Sequence, residues 1–136
     1  MKNKKLNKLR DLATTNKGEH GHPYYTVKDN KPYMPFYFEW IGTSEAGREL
    51  WAMCHWGMQN GDMMRDPEMV LEYDPKTEQW FTVSYRNDYA GFYEESTSSD
   101  AEQGRELFLV DTWLPNLVNQ GFLDYEERKL GKDEEG

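Results

Sequence analysis

Charged side chains that could do chemistry are concentrated in "NGDMMRDPEMVLE", residues 60–72, directly after a segment rich in tryptophan and methionine. Carboxylate oxygens bind hard divalent cations, and a neighbouring imidazole would add a nitrogen ligand. One hypothesis is therefore a small-ligand or metal-dependent enzyme centred on this region. Its candidate residues are His55, Asp62, Asp66, Glu68 and Arg86.

A structural interpretation of the same segment is favoured, because its spacing matches no established ligand pattern. Asn60 and Gly61 are typical of a turn, and Asp66-Pro67 would end a loop before the next strand. Arg65 would neutralise the acids around it. We therefore expect a wide structural loop here, with no cofactor, no metal and no catalytic residue.

The remaining reactive residue types give little support to an enzyme. Two of the three histidines, His20 and His22, lie in a glycine-rich linker, where exposed polar residues are more common than metal ligands. Cys54 is the single cysteine, so an intramolecular disulfide is excluded, and alternation places it in the core. The sequence contains no Walker loop, no GxSxG elbow and no dinucleotide fingerprint.

The charge distribution limits the class of partner. The chain has 136 residues, the length of one domain, and a net charge of -9. Residues 1–17 carry a net charge of +5, so the other 119 residues carry -14. An acidic body repels phosphate backbones and attracts basic partners, which disfavours nucleic acid. The alternative is single-strand binding by the N-terminal lysines together with exposed aromatic rings.

Neither a secretory leader nor a membrane span is predicted. The basic start "MKNKKLNKLRDLA" lacks the apolar run of a signal peptide, and no segment approaches about 20 apolar residues. A single cysteine also fits a reducing compartment. We expect a cytoplasmic protein without a membrane partner.

An antiparallel sheet would position the candidate side chains. Runs with a period of two, rich in aromatic and β-branched residues, predict about five strands joined by short turns, and a short extra strand is expected at 24–27. The five runs are residues 36–42, 49–58, 68–73, 79–86 and 89–94. The prediction is an α+β meander with a C-terminal helix packed on one face and a short N-terminal helix. Its divisions are a basic helix and linker at 1–34, the α+β domain at 35–123 and a flexible charged tail at 124–136.

The predicted C-terminal helix begins at Ser98 or Ser99 and ends near Gly121. Its apolar face contains Leu107, Val110, Leu114, Leu117 and Val118. Pro115 removes a backbone donor and should bend the helix at about Asp111. Asp111 would lie within the apolar face and need a partner such as Arg65, Arg86 or a tryptophan indole, unless the bend turns it outward.

Alternation predicts two unlike faces of the sheet. The face under the C-terminal helix would carry Phe36, Phe38, Trp40, Leu50, Ala52, Cys54, Met69, Leu71, Tyr73, Phe81, Val83 and Tyr85. The opposite face mixes aromatic and polar groups, a composition typical of interfaces. Its predicted binding residues are Tyr37, Trp51, His55, Arg65, Trp80, Arg86, Tyr89 and Tyr93. The alternative is that the N-terminal helix or a second subunit, in a homodimer, covers these rings.

Four segments carry a resemblance to a known group of proteins: "PYMPFYFEW", "QNGDMMRDPEMVLEYD", "VSYRNDYAGFYEE" and "TWLPNLVNQGF". Over about residues 32–123 the chain resembles a family of small uncharacterised proteins from phages, plasmids and conjugative elements of Gram-positive bacteria. The resemblance implies an accessory function of a mobile element and supplies no catalytic residues. We expect a non-catalytic protein that binds a host or element-encoded protein, with inhibition of a defence nuclease as one form of that role.

Overall fold

A six-stranded antiparallel sheet forms the centre of the molecule, and its strands are paired in chain order. The computed structural model describes residues 1–16 and 21–135, with side chains described to residue 130. The strands are β1 (Tyr24–Val27), β2 (Phe36–Thr43), β3 (Glu49–Gln59), β4 (Asp62–Asp74), β5 (Gln79–Asn87) and β6 (Phe92–Glu94). The α+β meander is confirmed, and the short strand at 24–27 is its first edge.

One helix precedes the strands in the sequence, and the other described helical segments follow them. The helical segments are α1 (Lys4–Thr15), α2 (Ser99–Phe108), a π-helical turn (Leu109–Trp113), α3 (Leu114–Asn119) and α4 (Tyr125–Glu135). The side chain of Ser98 accepts a hydrogen bond from the Ala101 N–H, so the predicted cap of α2 is confirmed. The segment 124–136, predicted as a flexible tail, contributes α4. None of the described helices is long and apolar enough to span a membrane.

The core lies between one face of the sheet and both terminal helical regions. Helix α1 contributes Leu6, Leu9 and Ala13, each with no exposed surface, to the same cluster as the C-terminal helices. The sheet contributes Tyr25, Val27, Phe36, Phe38, Trp51, Met53, Met69, Leu71, Tyr73 and Trp80. Residues 1–34 therefore supply a helix and a strand to the core and sheet that contain residues 35–123.

Strand β4, residues 62–74, is the second strand of a long hairpin, so the predicted wide loop is wrong. Asn60 and Gly61 both have positive φ, at 53° and 84°, and together they connect β3 directly to β4. Such a two-residue turn matches the twist of the strands and explains why the chain needs no loop. Strand β4 continues through Asp66 and Pro67.

We predict that Gly61→Ala lowers the free energy of unfolding by about 1 kcal/mol, because a β-carbon is disfavoured at this left-handed position. Gly104→Ala is the matched control. Gly104 lies inside α2, and a β-carbon there would meet no atom within 4 Å, so we expect a gain of about 0.5–1 kcal/mol. Urea unfolding of both variants measures the difference. Equal effects would contradict this account of the turn.

The π-helical turn changes which residues of the C-terminal helix are buried. Pro115 has no N–H, and the helix widens just before it, where the Leu114 N–H donates to the Leu109 oxygen. Asp111, the position at which a bend was predicted, lies within this π-helical turn. The extra residue shifts the buried face to Leu109, Trp113, Leu114 and Leu117 and leaves Leu107, Val110 and Val118 exposed. Asp111 is exposed, so the outward alternative holds and no buried partner is required.

Candidate functional site on the open face of the sheet

The open face is the side of the sheet opposite α1 and the C-terminal helices. Residues directly opposite each other on antiparallel strands point to the same face, so the registers define rows across the sheet. The central row contains Thr26, Tyr37, Cys54, Glu68, Arg86 and Tyr93, one residue from each strand. This row brings together three of the predicted binding residues.

A polar network fixes the middle of the open face. The Tyr37 hydroxyl donates to Glu68 Oε2 at 2.9 Å, and Arg65 Nε lies 3.4 Å from the same oxygen. Asp88 accepts from the Arg65 backbone N–H at 2.8 Å and from Arg86 Nε at 2.9 Å. These contacts hold the pKa of Asp88 below its usual range, chiefly through the Arg65 N–H. Arg65 and Arg86 are thereby held side by side.

Exposed rings flank this network. Tyr93 is 55% exposed, and the Arg86 guanidinium lies over its ring with 5.8 Å between the guanidinium carbon and the ring centre. Phe81 is 38% exposed and is covered in the same way by Arg48 at 4.6 Å. Arginine and tyrosine are the side chains that most often dominate binding energy at protein interfaces. The open face thus offers two separate arginine–aromatic pairs to a partner.

Cys54 lies beneath this surface and has the properties of a structural residue. It is fully buried, and its thiol donates to the His55 carbonyl oxygen at 3.0 Å. Burial raises the pKa of the thiol to about 12, so the nucleophilic thiolate is scarcely populated at neutral pH. Burial also raises the pKa of the neighbouring Tyr37 hydroxyl. Neither group is activated for catalysis.

The predicted face is wrong for Trp51, His55 and Trp80. All three point into the core, with Trp51 and Trp80 each 1% exposed and His55 9% exposed. Trp51 stacks on Phe38 with ring centres 4.9 Å apart, and the Trp80 indole donates to Asn7 Oδ1 at 2.8 Å. Helix α1 therefore covers part of the predicted aromatic set, as the alternative hypothesis held.

The other predicted binding residues lie elsewhere on the surface. Tyr37, Arg65, Arg86 and Tyr93 belong to the open face. Tyr89, which is 47% exposed, lies in the turn after β5. A β-carbon at Gly57 would come within 2.8 Å of its hydroxyl, so this ring lies against β3 instead of joining the central row.

The structure does not assemble the proposed enzyme site. His55 faces the core and Glu68 faces the open side, while Asp66 accepts a hydrogen bond from Asn87 at 2.7 Å. Within the described residues, no group of three or more His, Cys, Asp or Glu side chains could hold a metal ion. His22 lies 3.1 Å from Glu39, and His20 lies outside the described residues.

One buried charge was not anticipated from sequence. Arg105 of α2 is 5% exposed and binds both carboxylate oxygens of Glu94 at 2.8 Å. It also donates to the hydroxyl and carbonyl oxygens of Thr82, each at 3.1 Å. Arg105 thus joins α2 to β5 and to the end of β6. The sequence did not indicate this role, because an arginine on a largely polar helix is usually exposed to solvent.

A comparison with known protein families identifies the part of the chain that forms a family domain. A family model for a domain of unknown function, DUF6908, matches residues 4–123. The match includes α1, so the family domain begins earlier than the resemblance over residues 32–123 indicated. The acidic C-terminal segment after residue 123 lies outside the family match and outside the resemblance. No curated protein and no solved structure matches the chain. Because the model covers most of its length, the chain belongs to the DUF6908 family.

Proposed function

We propose that this protein is a non-catalytic binding protein that recognises another protein through the open face. The supporting observation is the central row together with its flanking arginine–aromatic pairs. Exposed rings that lie beside fixed arginines supply large contact areas at a low cost in conformational entropy.

The charge of the molecule indicates how such a partner would be attracted. Residues 18–136 carry a net charge of -14, which draws a basic protein over distances of about 10 Å at moderate ionic strength. The acids on the open face are themselves paired, for example Glu72 and Asp74 with Arg48 at 3.8 and 3.7 Å. The overall charge would thus speed encounter, while rings and arginines would make the contacts.

A more specific proposal concerns the origin of the protein, the compartment in which it acts and its partner. We propose that the protein comes from a phage, plasmid or conjugative element of a Gram-positive bacterium and acts in the cytoplasm on a host or element-encoded protein. A defence nuclease is a specific candidate, because its nucleic-acid-binding surface would be basic and complementary to an acidic body. The resemblance and the net charge support this setting.

A pair of matched double variants tests the face. The first variant, Phe81→Ala with Tyr93→Ala, removes exposed rings of the open face. The second, Leu107→Ala with Val110→Ala, removes similarly exposed side chains from α2 and the π-helical turn. Phe81 and Val110 are each 38% exposed, and Tyr93 and Leu107 are 55% and 53% exposed. We expect proteins retained from a bacterial lysate by the wild type to be lost with the first variant and kept with the second. Equal retention by all three, or no retention by any, contradicts the proposal.

Two further measurements separate the possible partners. Light scattering after size-exclusion chromatography would reveal a dimer, and a dimer that dissociates only in the open-face variant would identify a second copy as the occupant. For a retained nuclease, the wild-type protein should inhibit cleavage of DNA and the open-face variant should not. An uninhibited nuclease would rule out the defence role while leaving binding intact.

A further inference from the structure

Two backbone irregularities meet at a cavity on the core side of the sheet. The register of β3 and β4 shifts between Cys54 and Trp56, so His55 lies at a β-bulge, and Trp113 ends the π-helical turn. The two rings are neighbours, with centres 5.9 Å apart. Bulges and π-helical turns are both over-represented at functional sites. The cavity between them measures about 310 Å³, within the range of small-ligand pockets.

The indole of Trp113 carries an unused donor. Its Nε1 atom is buried and has no hydrogen-bond partner among the residues that the structure describes, and the whole residue is only 4% exposed. The other two core indoles are both satisfied, with Trp51 donating to Glu49 at 3.0 Å and Trp80 to Asn7 at 2.8 Å. A buried donor without an acceptor carries a desolvation penalty. An acceptor supplied by a ligand would remove it.

His55 supplies the complementary group. Its Nδ1 atom lies 3.3 Å from the carbonyl oxygens of both Met34 and Pro35, which places the proton on Nδ1. Burial lowers the pKa of His55, which keeps the ring neutral at pH 7. Nε2 is then left as an acceptor. His55 and Trp113 both line the cavity, so a donor and an acceptor lie on neighbouring rings of its wall.

The rest of the lining limits the class of ligand. Aromatic rings of Tyr33 and Phe108 and the side chains of Asn116 and Gln120 line the cavity, and none of its lining residues carries a formal charge at neutral pH. An ionised ligand would be costly to bury there. Flat aromatic walls favour a planar molecule, which can stack against them.

We infer that this cavity binds an uncharged planar heterocycle with a carbonyl oxygen next to a ring N–H, as in the lactam edge of uracil. The carbonyl would accept from Trp113 Nε1, and the ring N–H would donate to His55 Nε2. The pocket lies on the core side of the sheet, so this inference stands apart from the open face and can fail without affecting it.

Nuclear magnetic resonance of the tryptophan indole N–H groups tests the site. The chain has five tryptophans, and Trp113→Phe identifies the signal of Trp113 while keeping an aromatic ring in place. Uracil should shift this signal downfield in a saturable titration and leave those of Trp51 and Trp80 unchanged. A second titration with uridine shows whether the cavity also accepts a base that carries its sugar. Binding of either uracil or uridine supports the site.

The matched ligand control is 1,3-dimethyluracil, which keeps the ring and carbonyls but has no N–H. It should bind at least about tenfold more weakly than uracil, the effect of one lost hydrogen bond to a buried group. Trp113→Phe should weaken uracil binding by a similar factor in calorimetry. An unshifted Trp113 signal with both uracil and uridine, or equal affinity for dimethyluracil, overturns the inference even if the variant fails to fold.

Discussion

Replacing Trp51 with alanine should lower the free energy of unfolding by about 3–5 kcal/mol, the cost of removing a large aromatic side chain from a packed core. The ring is 1% exposed and stacks on Phe38, and its indole N–H is bonded to Glu49. Truncation would lose these contacts and leave a cavity between β3 and the helices. Urea denaturation, followed by circular dichroism, measures the change.

Tyr93→Ala is the control, because the sequence pattern assigns both rings to one face and the structure separates them. Tyr93 is 55% exposed, so its removal should change stability by no more than about 0.5 kcal/mol. Similar losses for the two variants would show that the assignment of the two faces is wrong. The same result would also remove the basis for an open binding face.

The second large effect is expected at Arg105. Arg105→Met should cost about 3 kcal/mol, because the Glu94 carboxylate and the Thr82 carbonyl lose a charged donor inside the protein. Arg105→Lys should recover only part of this loss, since one ammonium nitrogen cannot replace three guanidinium nitrogens, of which Nη1 binds Glu94 while Nε and Nη2 donate to Thr82. Arg128→Met is the matched control: its partner Asp124 is on the surface, and we expect a change below about 1 kcal/mol.

The Arg105 pair also predicts a dependence on pH. Hydrogen bonds from Arg105 lower the pKa of Glu94 below its ordinary value of 4.5. A carboxyl whose pKa is lower in the folded state stabilises the fold above its unfolded pKa, and this contribution disappears as the pH falls through the folded pKa. The stability difference between wild type and Arg105→Met should therefore shrink below about pH 4.5. A difference that stays constant from pH 7 to pH 3 would contradict the assigned pairing.

The alternation of residue types was sufficient to predict the faces of β2 and β4. In these strands Phe36 and Phe38, and likewise Met69 and Leu71, are buried and alternate with polar or half-buried neighbours. Strand β3 gives no such contrast, because "LWAMC" is apolar at every position and fits either face. Tertiary packing decides between the two faces: Trp51 and Met53 belong to the core cluster that also contains residues of α1 and of the C-terminal helices.

Contacts between distant parts of the chain explain the remaining differences. In β5 a bulge between the partners of Val70 and Leu71 lets Trp80, Thr82 and Tyr85 share one face, which a strict period of two cannot describe. Arg105 is buried because folding brings Glu94 and Thr82 within hydrogen-bond distance of its guanidinium group. The pocket beside Trp113 depends in the same way on a π-helical turn and a bulge that meet only after folding.

The two-residue turn at Asn60 and Gly61 has a practical consequence. Beyond Trp56 the third and fourth strands pair with each other and with no other described strand, and Met58 and Met63 near the turn are 59% and 44% exposed. The end of this hairpin therefore projects from the body as a narrow arm. A dye or an immobilisation tag attached at the turn would be bonded to residues outside both the central row and the lining of the cavity, which makes the arm a convenient handle for measuring either one.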